Sequence, residues 1–165
     1  YLIKECAVEL APHVADVFNI SVCEGKFPDI LKLSRVVPIL KKGDETDIAN
    51  YRPISILSVF SKFFEKLMSI RITSFLNENN LLCNNPHGFR EGLSTESVSS
   101  EYVQYIYDKM DHNEFIVTIF FDLSRVFDTV NIEFVEHKLN SLGIRGVINS
   151  WLTSFLLNRQ LVGIA

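Results

Sequence analysis

Two groups of residues in this sequence have the types and spacing to do chemistry. The first is Asp122, which follows directly on the apolar run Phe115-Ile116-Val117-Thr118-Ile119-Phe120-Phe121. A run apolar on both faces is expected to be a central, buried strand. A carboxylate at the end of such a strand stands at a sheet rim, where a metal or a substrate can reach it. The alternative, left open by spacing alone, is an Asp that caps a strand-to-helix turn. One carboxylate is not a complete site for a hard cation, which takes several oxygen ligands. Further ligands would come from a backbone carbonyl, a bound substrate or residues beyond Ala165. The second group is basic. Residues 31–75 hold Lys32, Arg35, Lys41, Lys42, Arg52, Lys62, Lys66 and Arg71 against Asp44, Glu45, Asp47 and Glu65. Eight cations against four acids give that segment +4, and the whole chain at −4 leaves −8 for the rest. A basic face on an acidic chain fits a specific phosphate site better than a general coat for DNA. His13, His87, His112 and His137 show no metal-ligand spacing and read as surface or packing residues.

The elements that must position these groups can be read from periodicity and turn signals. Residues 1–23 have helical spacing, with Val8, Ala11, Ala15, Phe18 and Val22 on one face and Pro12 as a break or a new first turn. Gly25-Lys26-Phe27-Pro28 ends that segment. Arg35 to Leu40 reads as a short strand, and Pro38 places it at a sheet edge. Lys41-Lys42-Gly43-Asp44 is a turn, 44–52 is loop-like, and Ile54 to Leu57 is a second strand. Ser58 caps a helix to about Leu76 whose inward face is Phe60, Phe64, Leu67 and Phe75. Ser94 or Thr95 caps a helix to about Met110, with Val98, Tyr102 and Ile106 on one face. Asn131 caps a helix through Leu142 that Gly143 terminates, and Gly146 precedes a last helix from Val147 to about Leu157. Trp151 and the aromatics of 59–76 read as core.

Composition sets the class. Hydrophobic residues make up 47% and charged residues 22% of the 165 positions, a globular balance that excludes disorder over most of the chain. The net charge of −4 excludes a purely electrostatic nucleic-acid binder. Cys6, Cys23 and Cys83 are an odd, widely spaced set, so a disulfide framework or a zinc site is not expected and a reducing compartment is. No apolar run has membrane-spanning length and no signal-peptide pattern opens the chain. Tyr1 at the start and Leu161 to Ala165 at the end read as the limits of an internal fragment.

Four blocks of this sequence carry a resemblance. Phe121-Asp122-Leu123-Ser124-Arg125-Val126-Phe127-Asp128-Thr129-Val130 resembles the first aspartate motif of reverse transcriptases of non-LTR retrotransposons, the jockey-like branch in particular. Three more blocks precede it in the family's order. They are Val37-Pro38-Ile39-Leu40-Lys41-Lys42-Gly43-Asp44, Asn50-Tyr51-Arg52-Pro53-Ile54-Ser55-Ile56-Leu57 and His87-Gly88-Phe89-Arg90-Glu91-Gly92-Leu93-Ser94-Thr95. Gly143-Ile144 and Trp151 with Ser154-Phe155-Leu156 continue the pattern. The resemblance covers nearly the whole chain.

The resemblance implies an α+β right-hand polymerase fragment, helix-rich with a short palm sheet. Residues 1–83 would be fingers, 84–130 the start of the palm, and 131–165 helices returning to the fingers. The thumb and the Asp-Asp hairpin with the other catalytic carboxylates would lie outside. The implied activity is RNA-directed DNA synthesis on an RNA template with a DNA primer and deoxynucleoside triphosphates, using two Mg2+ or Mn2+ ions. Asp122 matches the first metal-binding aspartate, and Leu123 would add its backbone carbonyl. Phe127 matches the bulky position under the incoming sugar, with Arg125 and Val126 beside the nucleotide; on spacing alone Phe127 would be core. Asp128 is read as structural.

Arg52 matches the arginine that grips the triphosphate, for which a guanidinium offers paired donors. One of Lys41 and Lys42 would join it; the plain reading is a solvated basic turn. Gly88, Phe89, Arg90 and Gly92 match the block near template and nucleotide, where glycines let backbone approach a ligand. The implied setting is a cytoplasmic ribonucleoprotein and the nucleus, with no membrane.

The sequence departs from the family pattern at Leu31, where tryptophan is usual, at Pro86, where glutamine is usual, and at Arg125 and Val126 in place of Lys-Ala. The alternatives are a decayed or domesticated, inactive RNA-binding fragment and an RNA-dependent RNA polymerase palm. Phe127 argues against the latter.

Overall fold

Leu2–Glu5 (α1) and Ala7–Glu24 (α2) are helices separated by a break at Cys6. The computed structural model describes residues 2–82, 94–122 and 129–163. Pro12 does not break the helix: α2 runs through it, and the interruption falls six residues earlier. Gly25 ends α2 in the left-handed conformation (φ +65°), its N–H reaching the carbonyls of Ser21 and Val22. A 3-10 turn, Asp29–Lys32, leads into β1 (Leu33–Leu40). A second, Ile48–Asn50, leads into β2 (Tyr51–Leu57). Then come α3 (Val59–Glu78), α4 (Thr95–Asp111), α5 (Ile132–Ser141), α6 (Val147–Leu156) and β3 (Gln160–Gly163). The caps are those the sequence predicts. Ser58 accepts from the Ser61 N–H, Ser94 forms a reciprocal capping box with Ser97, and Asn131 accepts from Glu133 and Phe134. No described helix is long and apolar enough to cross a membrane.

The chain divides into two compact units, residues 1–75 with 130–165, and residues 76–129. The first is built around aromatic rings. Phe18, Phe27, Phe64, Met68 and Trp151 are buried, with Val14, Val22, Leu31, Ile72, Ile148, Leu152 and Phe155 against them. Phe27 meets Trp151 edge-on at 5.2 Å, and Phe18 meets Phe64 in the same way at 5.2 Å. Such contacts add about 0.5–1.5 kcal/mol each beyond area burial. The indole N–H of Trp151 donates to Ser21 Oγ at 2.7 Å, and that hydroxyl donates to the Lys26 carbonyl at 2.7 Å. This pair joins the core across 130 residues of sequence, whereas Ser61 Oγ, Asn149 Oδ1 and Thr153 Oγ1 are buried without a hydrogen-bond partner among the described residues.

This ring cluster also shifts the helix faces from those expected. Val8 is exposed, and α2 buries Phe18 and Ser21. On α3 the buried set is Ser61, Phe64 and Met68, while Phe60 and Leu67 remain 40% and 38% exposed. Leu31, where the family has tryptophan, packs at the edge of the cluster.

The sheet has the order β2-β1-β3. β1 and β2 are antiparallel, with Pro38 opposite Pro53 and Ile39 opposite Arg52. β3 joins β1 in parallel, over Leu33 to Val36 only. β1 is therefore central at its start, not an edge strand as Pro38 suggested. Past Val36, however, no described residue pairs with its outer side, and there Pro38 has no N–H to leave unpaired. Pro53 stands in the same position on the outer side of β2. The two prolines can face each other only at a non-hydrogen-bonded pair. Arg159 ties β3 down: its guanidinium lies 4.0 Å over the Phe155 ring and pairs with Glu65 at 3.2 Å.

The second unit is α4 and the segment after it. The expectation of a central, buried strand at 115–121 is not met. These residues form no strand, and Phe115, Val117, Ile119, Phe120 and Phe121 are 70% exposed or more. Among the described residues no strand lies beside the segment to complete its hydrogen bonds, and one helix supplies its contacts. Tyr102 of α4 hydrogen-bonds Thr118 through their hydroxyls at 2.6 Å and meets the Phe120 ring edge-on at 6.0 Å. Lys109 pairs with Glu114 at 2.9 Å, which holds its ammonium above the usual lysine range. The short palm sheet expected within 84–130 is thus absent among the described residues, and the sheet comes from 33–40, 51–57 and 160–163.

Candidate nucleotide-phosphate hairpin

The connection between β1 and β2 is long, and its own side chains fix it. Gly43 has φ +94°, and a Cβ there would lie 2.8 Å from Asn50 Nδ2. Only glycine fits. Asn50 Nδ2 donates to the Asp44 carbonyl at 2.9 Å. Asp44 Oδ1 accepts from the Thr46 N–H at 2.9 Å and from the Thr46 hydroxyl at 2.8 Å. These bonds, the backbone one first, hold the Asp44 carboxyl below the usual carboxylate range. Asp47 Oδ1 accepts from the Ala49 N–H at 2.9 Å, and the Tyr51 hydroxyl donates to the Glu45 carbonyl at 2.9 Å. The carboxylates of Asp44 and Asp47 are therefore engaged with the loop itself, while Glu45 contributes its backbone carbonyl.

Its cations are not. Lys41, Lys42 and Arg52 are exposed, and among the described residues no carboxylate pairs with any of them. The Lys41 N–H donates to the Asn50 carbonyl at 2.8 Å, which extends the ladder one pair beyond Leu40 and Tyr51. Strand alternation then puts Lys41 on the same face as Ile39 and its partner Arg52. Lys42 lies in the bend that follows. Arg35, opposite Ile56, falls on that face too, further from the turn. The sequence did not single out Arg35 or Asn50 as site residues. The signal for Asn50 was Gly43, a turn glycine that needs a partner to hold the turn closed.

Lys32 leaves the basic group altogether. It is 4% exposed and its ammonium meets Asp29 Oδ1 at 2.8 Å. That pair lowers the Asp29 carboxyl below its ordinary range, first through the hydrogen bond and then through charge. Arg71 lies 5.9 Å over the Phe18 ring.

Asp122 is exposed and ends the described part of its segment. It belongs to the second unit, and Arg52 to the first. Among the described residues no three His, Cys, Asp or Glu side chains come together in a metal-holding group. Asp122 by itself supplies only part of the oxygen set that a divalent cation takes. Leu123, Arg125, Val126 and Phe127 lie outside the described residues, as do Gly88, Phe89, Arg90 and Gly92.

Residues 39–164 match the family model described as reverse transcriptase (RNA-dependent DNA polymerase). Similar curated proteins come from Drosophila melanogaster. A probable RNA-directed DNA polymerase from transposon BS is 29% identical over 91% of this chain and 17% of the relative. A probable RNA-directed DNA polymerase from transposon X-element is 34% identical over 72% of this chain and 13% of the relative. The RNA-directed DNA polymerase from mobile element jockey is 29% identical over 71% and 13%. The chain thus spans less than a fifth of the length of these relatives.

Proposed function

The chain belongs to the reverse transcriptase (RNA-dependent DNA polymerase) family, and we propose that it is a segment of a non-LTR retrotransposon polymerase that copies the element's RNA into DNA. In this reading 1–83 are fingers, 84–130 begin the palm and 131–165 return to the fingers. The template is RNA, the primer DNA and the substrates deoxynucleoside triphosphates. The work is done in a cytoplasmic ribonucleoprotein and the nucleus. Divalent ions, held by Asp122, the Leu123 carbonyl and carboxylates elsewhere in the parent protein, would activate the primer hydroxyl and stabilise the leaving pyrophosphate.

The observation that carries the proposal is the hairpin. Lys41 and Arg52 share one face beside a turn that its own hydrogen bonds hold, and among the described residues no carboxylate pairs with either. An arginine fork and an ammonium held in this way suit the β- and γ-phosphates of a nucleotide. Lys41 is favoured over Lys42 because strand alternation puts it on the same face as Arg52. Phe127 would exclude a 2′-hydroxyl, Arg125 and Val126 would flank the nucleotide, and Gly88, Phe89, Arg90 and Gly92 would approach template and nucleotide.

In the full-length parent enzyme, Arg52→Ala should lower the efficiency of nucleotide incorporation roughly 10- to 150-fold. That is the loss of one charge-assisted contact of about 1.5–3 kcal/mol. Arg52→Lys should fall between, and Lys41→Ala should cost more than Lys42→Ala. Template–primer affinity should barely change. Weakened template–primer binding with intact nucleotide efficiency would assign Arg52 to the nucleic-acid track and overturn the reading.

A further inference from the structure

The first unit carries a second surface that the polymerase reading does not use. Two depressions, about 460 and 310 Å3, lie along the helices α2 and α3 and share Leu10, Val14 and Phe60. Phe63 and Leu67 wall the larger one, and both are more than a third exposed, as is Phe60. Together the depressions follow α2 from Ala7 to Val17, about 15 Å at the helical rise. That is about three turns of a helix laid alongside. Among the described residues no carboxylate lines either depression. Lys4 of α1 and Lys66 of α3 line the larger one, and neither pairs with a described carboxylate.

We propose that this trough seats an amphipathic α-helix whose apolar stripe is bordered by Asp or Glu. The trough walls are chiefly the helices α1, α2 and α3, whose backbone groups are already paired internally, with Pro28, Ile30 and Leu31 at the end of the smaller depression. An extended peptide laid there would find no donors or acceptors for its own backbone, whereas a helix brings its hydrogen bonds with it. Side chains at i, i+3, i+4 and i+7 of the guest would fill the spaces between Leu10, Val14, Phe60, Phe63 and Leu67. A nucleic acid would have to set phosphates against an apolar floor. The lysines choose the sign of the guest's flanks. As rim charges they act on partner choice more than on affinity. The inference is independent of the nucleotide-phosphate reading.

The test uses two labelled peptides of roughly four helical turns with one shared leucine stripe, bordered by glutamate in one and lysine in the other. Fluorescence anisotropy against the whole chain should show the glutamate peptide binding roughly 2- to 30-fold tighter, the yield of two rim ion pairs. Lys4→Glu combined with Lys66→Glu should reverse that order. Both positions are exposed, so the variant keeps the fold. Leu67→Asp should abolish binding of both peptides, with the near-ultraviolet dichroism of Trp151 unchanged. Equal binding of the two peptides, or a preference that survives charge reversal, would overturn the proposal. So would self-association of the chain that Leu67→Asp removes, because the occupant would then be a second copy.

Discussion

The hairpin of β1 and β2 and the segment 115–122 are both rich in strand-forming residues, and both end in a residue suited to chemistry. Only one of them is a strand. β1 finds β2 eleven residues further on, through a turn held by Asn50, Asp44 and Tyr51. Its other side takes β3 from the far end of the chain. The segment 115–121 has the more apolar sequence but pairs with no described strand; Tyr102 of α4 bonds Thr118 and meets the Phe120 ring. Apolar pattern states what a segment needs. Whether it is a strand depends on whether hydrogen-bonding edges reach it. A long apolar segment with an unfilled ladder is also a template for aggregation.

Substitutions should separate the two regions sharply. The largest effect is expected at Trp151, which is 1% exposed at the centre of the ring cluster. Trp151→Ala should lower unfolding stability by about 3–5 kcal/mol, while Phe121→Ala, at 86% exposure, should stay within about 0.5 kcal/mol. Urea titrations of the chain measure both; similar losses would mean that 115–121 is packed in solution. Next, Gly43→Ala should cost about 1–2 kcal/mol, because an L-residue is strained at that φ and its Cβ meets Asn50. Hydrogen exchange would report it first at the Lys41 amide.

A smaller effect is expected at Ser94, whose capping box should contribute about 0.5–2 kcal/mol to α4. In Ser94→Ala, exchange should quicken in α4 without a change in the first unit. The smallest concerns Asp44. Its folded carboxyl lies below the ordinary range, so its contribution is present above the unfolded pKa and is lost as pH falls through the lower folded value. The Thr46 amide resonance should follow that loss under acidic conditions, and Asp44→Asn should make it insensitive to pH. A Thr46 shift unchanged in wild type at acid pH would detach the loop from its carboxylate.

Much of this architecture was legible locally. Ser58, Ser94, Asn131 and Gly143 mark helix ends through bonds within a turn of themselves, so sequence neighbours suffice to find them. The hairpin was legible because its partners are close in the chain. Three features were not. The pairing of β3 with β1 joins residues more than 120 positions apart, and Gln160 to Gly163 has no pattern that names its partner. The burial of Lys32 follows from Asp29 one 3-10 turn earlier, a spacing that counting charges does not weigh. The expected faces of α2 and α3 hold at Phe18 and Phe64, but ring packing around Trp151 also buries Ser21 and Ser61 while Val8 and Leu67 stay exposed. At the candidate site the sequence identified Lys41, Lys42 and Arg52, and register separated the lysines.

The hairpin can also be considered as a mechanical part. Its root is three strands wide and is clamped by Arg159 through Phe155 and Glu65. The turn with Lys41 and Asn50 stands at its far end. That is a cantilever, stiff where it is built in and increasingly compliant toward the tip. Any load borne by Arg52 is delivered near the tip and resisted at the root. Midway along the hairpin, Pro38 on one arm and Pro53 on the other leave no outward amide at that pair for a neighbouring chain to seize.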